Sequence, residues 1–580
     1  MILRRLAEFA SRIPDLPPSM YYPQPIRWQI ELDDAGHLLG ITLLSGGDSK
    51  DRGLTLMAPY KKRSGTAPPP RLLADKAEYV LGFGTESPEQ SWHFRQFADA
   101  VRKCLEVTDE PTVAAVAAFL EQHKASLIQV PADMSAGDYV TFRVGGVRPI
   151  DLPNVRRFWA QANASGDTKM QCIVCGHYGP VDRVSPVPIK GLTRIGGKAE
   201  MAISSANEEA FESYGARQSF IAPTCRVCGE AYANSLNYMI KTEHHRVFVE
   251  PTVFVFWTRE DWDFSPASLL TQPQEEEVAK LIRAYRTGSL PAGLEASAFY
   301  ALSMSASGNR VVLRDWLETT VPAVQINLGR WFVLQAIVGE WGEASPPVGT
   351  YELAASAFLI PKERQQLQGL LRSGRPIPKS LYRKIPAAAP RALVRCALYG
   401  GPLPDWMLAQ AVGRNRAEQG ITRNRAALIK AILLSQTDNL KEDYMEHLDP
   451  ICKSPGYLCG RVLAEVEGAQ IEYHKPRKIN TTVVDRFYGA ASYSPKVIFG
   501  SLLKGLQLHM AKLRKERPAV FFAIDSRLQD IMSDMADFPN ILNLKEQARF
   551  ALGYYHQKAA NRAAALKAKK GREHEDSEED

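Results

Sequence analysis

The stretch that decides the reading is Cys172-Ile173-Val174-Cys175-Gly176, answered by Cys225-Arg226-Val227-Cys228-Gly229. Each half is a Cys-x-x-Cys-Gly knuckle. The two thiolates of such a turn face one metal ion, and the glycine permits the tight backbone beneath them. Two knuckles supply four soft ligands: Cys172, Cys175, Cys225 and Cys228. Four thiolates are the set of a closed tetrahedral zinc site, which holds structure and leaves no open position for chemistry. The segment between, about fifty residues, exceeds the usual ribbon spacing. It is expected to form an inserted lobe, residues 166–240, clasped at its base. Two disulfides or four free thiols are the competing readings. Disulfides suit an exported chain, whereas the first ten residues include Glu8 and lack a continuous apolar segment. Thioredoxin-like chemistry uses one such pair in a βαβ setting, not two. Cys104, Cys396, Cys452 and Cys459 have no metal spacing and read as ordinary buried thiols.

Outward from this clasp the chain is long enough for several domains. With 45% hydrophobic and 23% charged residues its composition is that of a globular protein. No apolar run approaches the roughly 18–20 residues that span a bilayer, so no membrane partner and a cytoplasmic location are expected. The net charge of +7 understates the basic character. Residues 571–580 hold six acids against one arginine, and residues 570–580 read as a disordered, solvating tail. The remaining body is more basic, yet a polyanion site must still come from clustering rather than overall field.

Alternation of Ile26, Trp28, Ile30 and Leu32 with polar residues predicts a half-buried strand. A turn at Asp33–Gly36 leads to a returning strand over His37–Leu44. A short strand over Leu54–Met57 follows, and Tyr79–Gly82 is read as a strand closing the unit. Helical spacing marks Ser91–Val107 and Pro111–Lys124; Tyr139–Val147 reads as a strand. Beyond the lobe, His245–Arg259 reads as strands broken at Pro251, then a helix at Gln274–Arg286 and a strand at Arg310–Arg314. From about Pro390 the chain turns to helices: Arg391–Leu398, Asp405–Val412, Arg423–Ser435, Gly460–Glu467, Val497–Arg517 and Leu542–Lys569. The expected fold class is α+β. A mixed α/β body spans 1–165 and 241–375 around the lobe, a linker 376–390, and a helical bundle 391–569.

Catalytic signatures are scarce. Gly191–Ala199 superficially resembles a phosphate-binding loop, but Lys198 is displaced and Ala199 stands where a hydroxyl would hold magnesium. There is no Gly-x-Ser-x-Gly and no His-Glu-x-x-His. His244 and His245, if on a strand, point to opposite faces and read as surface. No enzyme activity is expected.

Two basic groups suit nucleic acid. Lys61, Lys62 and Arg63, beside Tyr60 and with Lys50, Arg52 and Arg71, gather on non-helical backbone rich in glycine, suited to phosphate and groove. Arg414-Asn415-Arg416 and Arg423-Asn424-Arg425 flank Gly420, and arginine grips phosphate bidentately. A solvated loop and ordinary helix-end capping are the plainer readings of the two groups.

The chain resembles the large subunit of the type I-C CRISPR interference complex (Cascade) over nearly its whole length. The resemblance is carried by Pro70–Gly82, the cysteine knuckles, Val311–Trp316, Val484–Ser492 and Leu544–Tyr555. It implies a non-enzymatic subunit that reads the protospacer-adjacent motif, helps open the duplex, stabilises the R-loop and helps recruit the helicase–nuclease. Its partners would be the Cascade backbone and guide-RNA-processing subunits, the guide RNA, the target double-stranded DNA and the displaced single strand. The N-terminal body would read the motif and the helical half would contact the displaced strand. The resemblance also implies that the bundle can be made separately as a small subunit from an internal start, which the protein sequence does not locate; Met445 is only a convenient candidate. Two other classes stay open: a stand-alone zinc-containing nucleic-acid-binding regulator, and a metalloenzyme with a scattered site.

Overall fold

The computed structural model describes residues 2–14, 16–44, 53–61, 68–163, 168–204, 209–213, 215–249, 251–260, 264–287, 297–373, 377–437 and 445–578. Two compact units emerge. The first comprises Met1–Ile189 with Ala202–Tyr238, and the second Lys190–Met201 with Met239–Asp580.

In the first unit, α1 (Ile2–Phe9) precedes β1 (Tyr21–Ile26), β2 (Trp28–Leu32), β3 (Leu38–Leu43) and β4 (Leu54–Pro59). The β1–β4 pair forms an antiparallel ribbon with Tyr21 opposite Pro59 and Ile26 opposite Leu54. Next come β5 (Ala74–Lys76), α2 (Ala77–Val80), α3 (Trp92–Thr108), α4 (Pro111–Gln122) and β6 (Tyr139–Val144). A four-stranded sheet runs β3-β2-β6-β5, with β2 and β6 parallel. Its core is the one the alternation predicts: Trp28, Ile30 and Leu32 meet Val140, Phe142 and Val144, with Phe97 and Phe119 of α3 and α4 above Phe142. Ser91 caps α3 by accepting from the Phe94 N–H. Tyr79–Gly82, expected as a strand, instead contains the helical turn α2, and the Tyr79 hydroxyl donates to the Pro68 carbonyl. A buried polar tip needed a partner, and the turn provides it. The unit continues with α5 (Pro153–Ala162), β7 (Lys169–Gln171), β8 (Tyr178–Pro180) and α6 (Arg226–Lys241).

The second unit contains β9 (Arg246–Val249), β10 (Thr252–Thr258), α7 (Ala267–Thr271), α8 (Glu275–Thr287), β11 (Ala298–Ser307) and β12 (Arg310–Thr320). These strands form an antiparallel sheet in the order β12-β11-β10-β9. Helices follow: α9 (Val321–Gln335), α10 (Thr350–Phe358), α11 (Pro361–Arg372), α12 (Lys379–Tyr382), α13 (Ala388–Tyr399), α14 (Asp405–Glu418), α15 (Arg423–Ser435) and α16 (Pro455–His474). The last are α17 (Val483–Ala491), α18 (Pro495–Glu516), α19 (Pro518–Ser533) and α20 (Leu544–Glu578). Sheets thus lie in the N-terminal half and helices dominate the C-terminal half, the expected α+β class.

Several expectations are corrected. Residues 376–390 are no linker, because Leu381, Ile385 and Ala389 are buried in one core with β10, β11 and α9. Pro386 precedes the α13 cap and Pro390 lies in its first turn, where a proline is tolerated, so the prolines there accompany a helix start. Region 166–240 is not one lobe: its cysteine-bearing parts belong to the first unit, while Lys190–Met201 belongs to the second. Helix α20 continues past residue 570, through Glu578. His244 and His245 sit in a 3-10 turn, not on a strand, and His245 Nδ1 lies 3.0 Å from the Phe256 carbonyl.

The tightest packing is between α16 and α20. A Cβ on Gly460 would lie 2.0 Å from the Phe550 carbonyl oxygen, and one on Gly553 2.1 Å from that of Tyr457. Glu465, fully buried, spans the same seam by accepting from Gln557 and Asn561 of α20 and from Arg527 of α19. Gly460→Ala or Gly553→Ala is therefore expected to force the helices apart and destabilise the protein by about 1–3 kcal/mol or more. Gly468→Ala, where a Cβ meets nothing within 4 Å, should instead be neutral or stabilising by up to about 1 kcal/mol. Urea unfolding of the three variants checks this.

Candidate metal centre and nucleic-acid surface

Hairpin β7–β8 carries the first knuckle in its loop. The Gly176 N–H donates to the Cys172 carbonyl at 2.8 Å, and Gly176 takes the left-handed conformation (φ +77°) that lets the loop turn. The second knuckle begins α6, where the Gly229 N–H donates to the Cys225 carbonyl at 2.9 Å. Between its cysteines, Arg226 pairs with the nearly buried Asp182 at 2.8 Å, tying the helix start to the chain beyond the hairpin. Leu3 and Ala7 of α1 pack against the thiols.

All four Sγ atoms lie within 4.8 Å of one another, with Cys175 and Cys225 3.9 Å apart. A tetrahedron of sulfurs about 2.3 Å from a central ion has edges of about 3.8 Å, so the donor set fits such an ion. No disulfide joins these cysteines. At Cys172 burial raises the thiol's pKa, but N–H donation from Cys175, Cys225 and Val174 outweighs it and brings it down to about 7. Burial and the neighbouring thiols push Cys225 and Cys228 up. Four crowded sulfurs can all ionise only around a cation.

The basic residues divide. Lys50, Arg52, Lys62 and Arg63 lie outside the described residues. Lys61 is half-buried just beyond the β1–β4 ribbon. The Leu54 N–H donates to the Leu44 carbonyl at 2.7 Å, joining the chain just past β3 to the start of β4. Arg71 is not a surface cation. It is 8% exposed, donates to Gln24 and the Tyr139 hydroxyl, and lies over the Tyr60 ring at 4.8 Å.

Arg425, likewise expected on a phosphate surface, is fully buried. Its guanidinium donates to the Ser356 carbonyl, Asn415 and Glu418 at 2.7–2.9 Å. Arg414 turns inward to the Phe358 carbonyl at 2.9 Å. Arg364 completes the group, pairing with Glu418 at 2.8 Å. The reason is local. Glu418 ends α14 beside the start of α15, and a half-buried carboxylate gathers every arginine in reach. Arg423 is half-buried and donates to the Pro346 carbonyl at 3.1 Å. Arg416 alone of the four is exposed, its guanidinium 5.4 Å from the Tyr493 ring centre.

That contact marks a surface the sequence reading missed. Between α14, α17 and the start of α18 lies an open groove of about 760 Å³ lined by Gly413, Arg416, Ala417, Gly489, Tyr493 and Val497. Its available signal was Tyr493 just past the Val484–Ser492 motif. Periodicity could not separate it from Tyr488, which is buried against Phe550 and Tyr554.

Over residues 3–562 the sequence matches the family described as CRISPR-associated protein (Cas_Csd1), and the chain belongs to that family. No curated protein matches it. Among the described residues no helix is long and apolar enough to cross a membrane.

The arginine cluster has a measurable consequence. Burial raises the Glu418 pKa, but hydrogen bonds and charge from Arg364 and Arg425 outweigh it and hold the carboxyl below the usual range. Its stabilisation is therefore full above the unfolded value, about 4.3, and is lost as pH falls through the lower folded value. Arg425→Met should destabilise the protein by about 3 kcal/mol or more and weaken this acid dependence, whereas Arg416→Ala should change stability little. Thermal unfolding between neutral and acidic pH distinguishes them.

Proposed function

We propose that this chain is the non-catalytic large subunit of a type I-C guide-RNA-directed Cascade complex. In this reading it recognises the protospacer-adjacent motif, helps open the duplex, supports the displaced strand and helps recruit the helicase–nuclease. The observation that carries the reading is the family match across residues 3–562. Arg71 and Arg425 are buried and Arg414 is turned to the Phe358 carbonyl, which favours Arg416, Arg423 and the Lys50–Arg63 segment as the DNA-contacting set. Lys61, just beyond the ribbon, with Lys62 and Arg63 next to it in sequence, would supply mainly sequence-independent phosphate contacts and a base reader near residues 46–53 the choice of motif.

Cys172, Cys175, Cys225 and Cys228 would hold one structural zinc. Bound there, the ion supplies folding energy and no open coordination position. Metal analysis of reduced, freshly prepared protein is expected to give one zinc per chain. Cys225→Ser should lose it and loosen the hairpin and the start of α6 in hydrogen exchange; protein without zinc would overturn this assignment.

The subunit reading is tested by expressing the chain together with other CRISPR-associated proteins and a guide RNA. Co-purification in one stoichiometric particle, with motif-dependent duplex binding by the particle only, is expected. A chain that stays free of RNA and binds duplex DNA equally well alone would instead be a stand-alone regulator.

A further inference from the structure

We propose that the groove between α14, α17 and α18 receives an unstacked base of a single-stranded nucleic acid. Tyr493 would be its stacking platform, and the outer face of α18 would be the phosphate track. This deepens the strand-supporting role proposed above and rests on that reading for the strand's origin.

The platform is rigid. The Tyr493 N–H donates to the Ala490 carbonyl at 3.2 Å, and its carbonyl accepts from the Leu542 N–H at 2.9 Å. Gln419, whose side chain accepts from the Gly489 N–H at 3.2 Å, fastens the end of α14 to α17 beneath it. Tyr493 is 42% exposed, with the Arg416 guanidinium over one face of its ring. A fixed, half-open aromatic ring with an arginine at its side suits base stacking, which every base can join through its π-face. Gly413, Ala417, Gly489 and Ala490 present little side chain, so the slot stays open, and its volume admits a nucleoside.

The charge around it is unbalanced in one direction. On α18, Val497, Ser501, Lys504, Leu508 and Lys515 follow at spacings that share one helix face, and all are exposed. From Val497 to Lys515 that face runs about 27 Å at 1.5 Å per residue. Lys496, Lys504, Lys512, Arg514 and Lys515 stand on this helix against Glu516 alone. Lys496 is paired with Asp537, and Lys512 lies 3.7 Å from Glu516. Arg416, Arg486, Lys504 and Lys515 form no ion pair among the described residues. Of the acids on α14 and α17, Glu418 is paired with Arg364 and Arg425, and Asp485 accepts from the Thr482 N–H. A polyanion answers this surface. An apolar partner helix would cover Val497 and Leu508 but leave Lys504 and Lys515 without countercharge.

The test is fluorescence anisotropy of the full chain with labelled oligothymidylate and oligouridylate over a salt series. Tyr493→Ala should weaken binding about 5- to 150-fold, from a stacking contribution of about 1–3 kcal/mol, with an unaltered salt slope. Tyr493→Trp should retain binding. Lys504→Ala with Lys515→Ala should reduce the log–log slope by about 1.4, at about 0.7 per single-strand contact. Equal losses with both oligonucleotides support a slot open to DNA and RNA; a loss confined to oligothymidylate supports one that takes DNA. Unchanged binding in Tyr493→Ala, the result expected of a protein-docking face, overturns the proposal, as does a wild-type chain that binds neither oligonucleotide. Thermal unfolding and guide-RNA co-purification, measured in parallel, should be unchanged in Tyr493→Ala. Failure of co-purification in the wild type, with the stacking effect intact, removes the subunit reading and leaves the slot standing.

Discussion

The backbone contact between α16 and α20 is the constraint on which the C-terminal half of the molecule depends. Glycines at 460 and 553 let each helix touch the other's carbonyls. At that distance large side chains are excluded from the seam, and the flanking positions become deeply buried. Glu465 is fully buried there and Glu467 nearly so, and each is satisfied within the protein. Gln557, Asn561 and Arg527 satisfy Glu465; the Tyr554 hydroxyl and Lys558 satisfy Glu467. A sliding of the helices by one turn would strand both carboxylates, so the polar network fixes the register that the glycines make possible.

The same logic sorts the arginines. Formal charge is a property of sequence, but availability of charge is a property of packing. Around Glu418, Arg364 and Arg425 form a partly dehydrated cluster in which removing one partner leaves another uncompensated. Arg71 is consumed similarly by Gln24, Tyr139 and the face of Tyr60. Cations left over for a polyanion are those whose neighbours on the same helix are small or apolar. That is why Arg416 and the outer face of α18 remain while the two Arg-Asn-Arg tripeptides, alike in sequence, diverge.

The thiol cluster plays the corresponding part in the first unit. A β-hairpin of three-residue strands has too few ladder bonds and too little apolar cover to hold itself. Its loop is joined to the start of α6 through sulfur crowding, the Ile173 N–H to the Pro223 carbonyl, and the Arg226–Asp182 pair. Those contacts draw the cysteine-bearing ends into one unit with α1 instead of leaving a lobe between domains.

How much was legible follows from the range of each signal. Local signals were sufficient for the knuckles, for the alternation of Trp28, Ile30 and Leu32, and for α15, whose bounds Arg423–Ser435 match the expectation. Family resemblance was legible because its motifs are core: Tyr488, Phe550 and Tyr554 pack on one another, and Trp316 stacks on Tyr300. Core residues declare kinship but not a site. Helices such as α9 and α10, buried on nearly all sides, lack a polar face and so lacked the periodicity that reveals a helix. By itself, then, the sequence determined the donor set of the thiol site, the strands and helices with one wet face, and the family. Tertiary structure alone decided which arginines are spent internally, where the units divide, and that Tyr493 lies open beside Arg416. Each of those depends on neighbours tens of residues away, which set burial and pairing, and no local pattern encodes them.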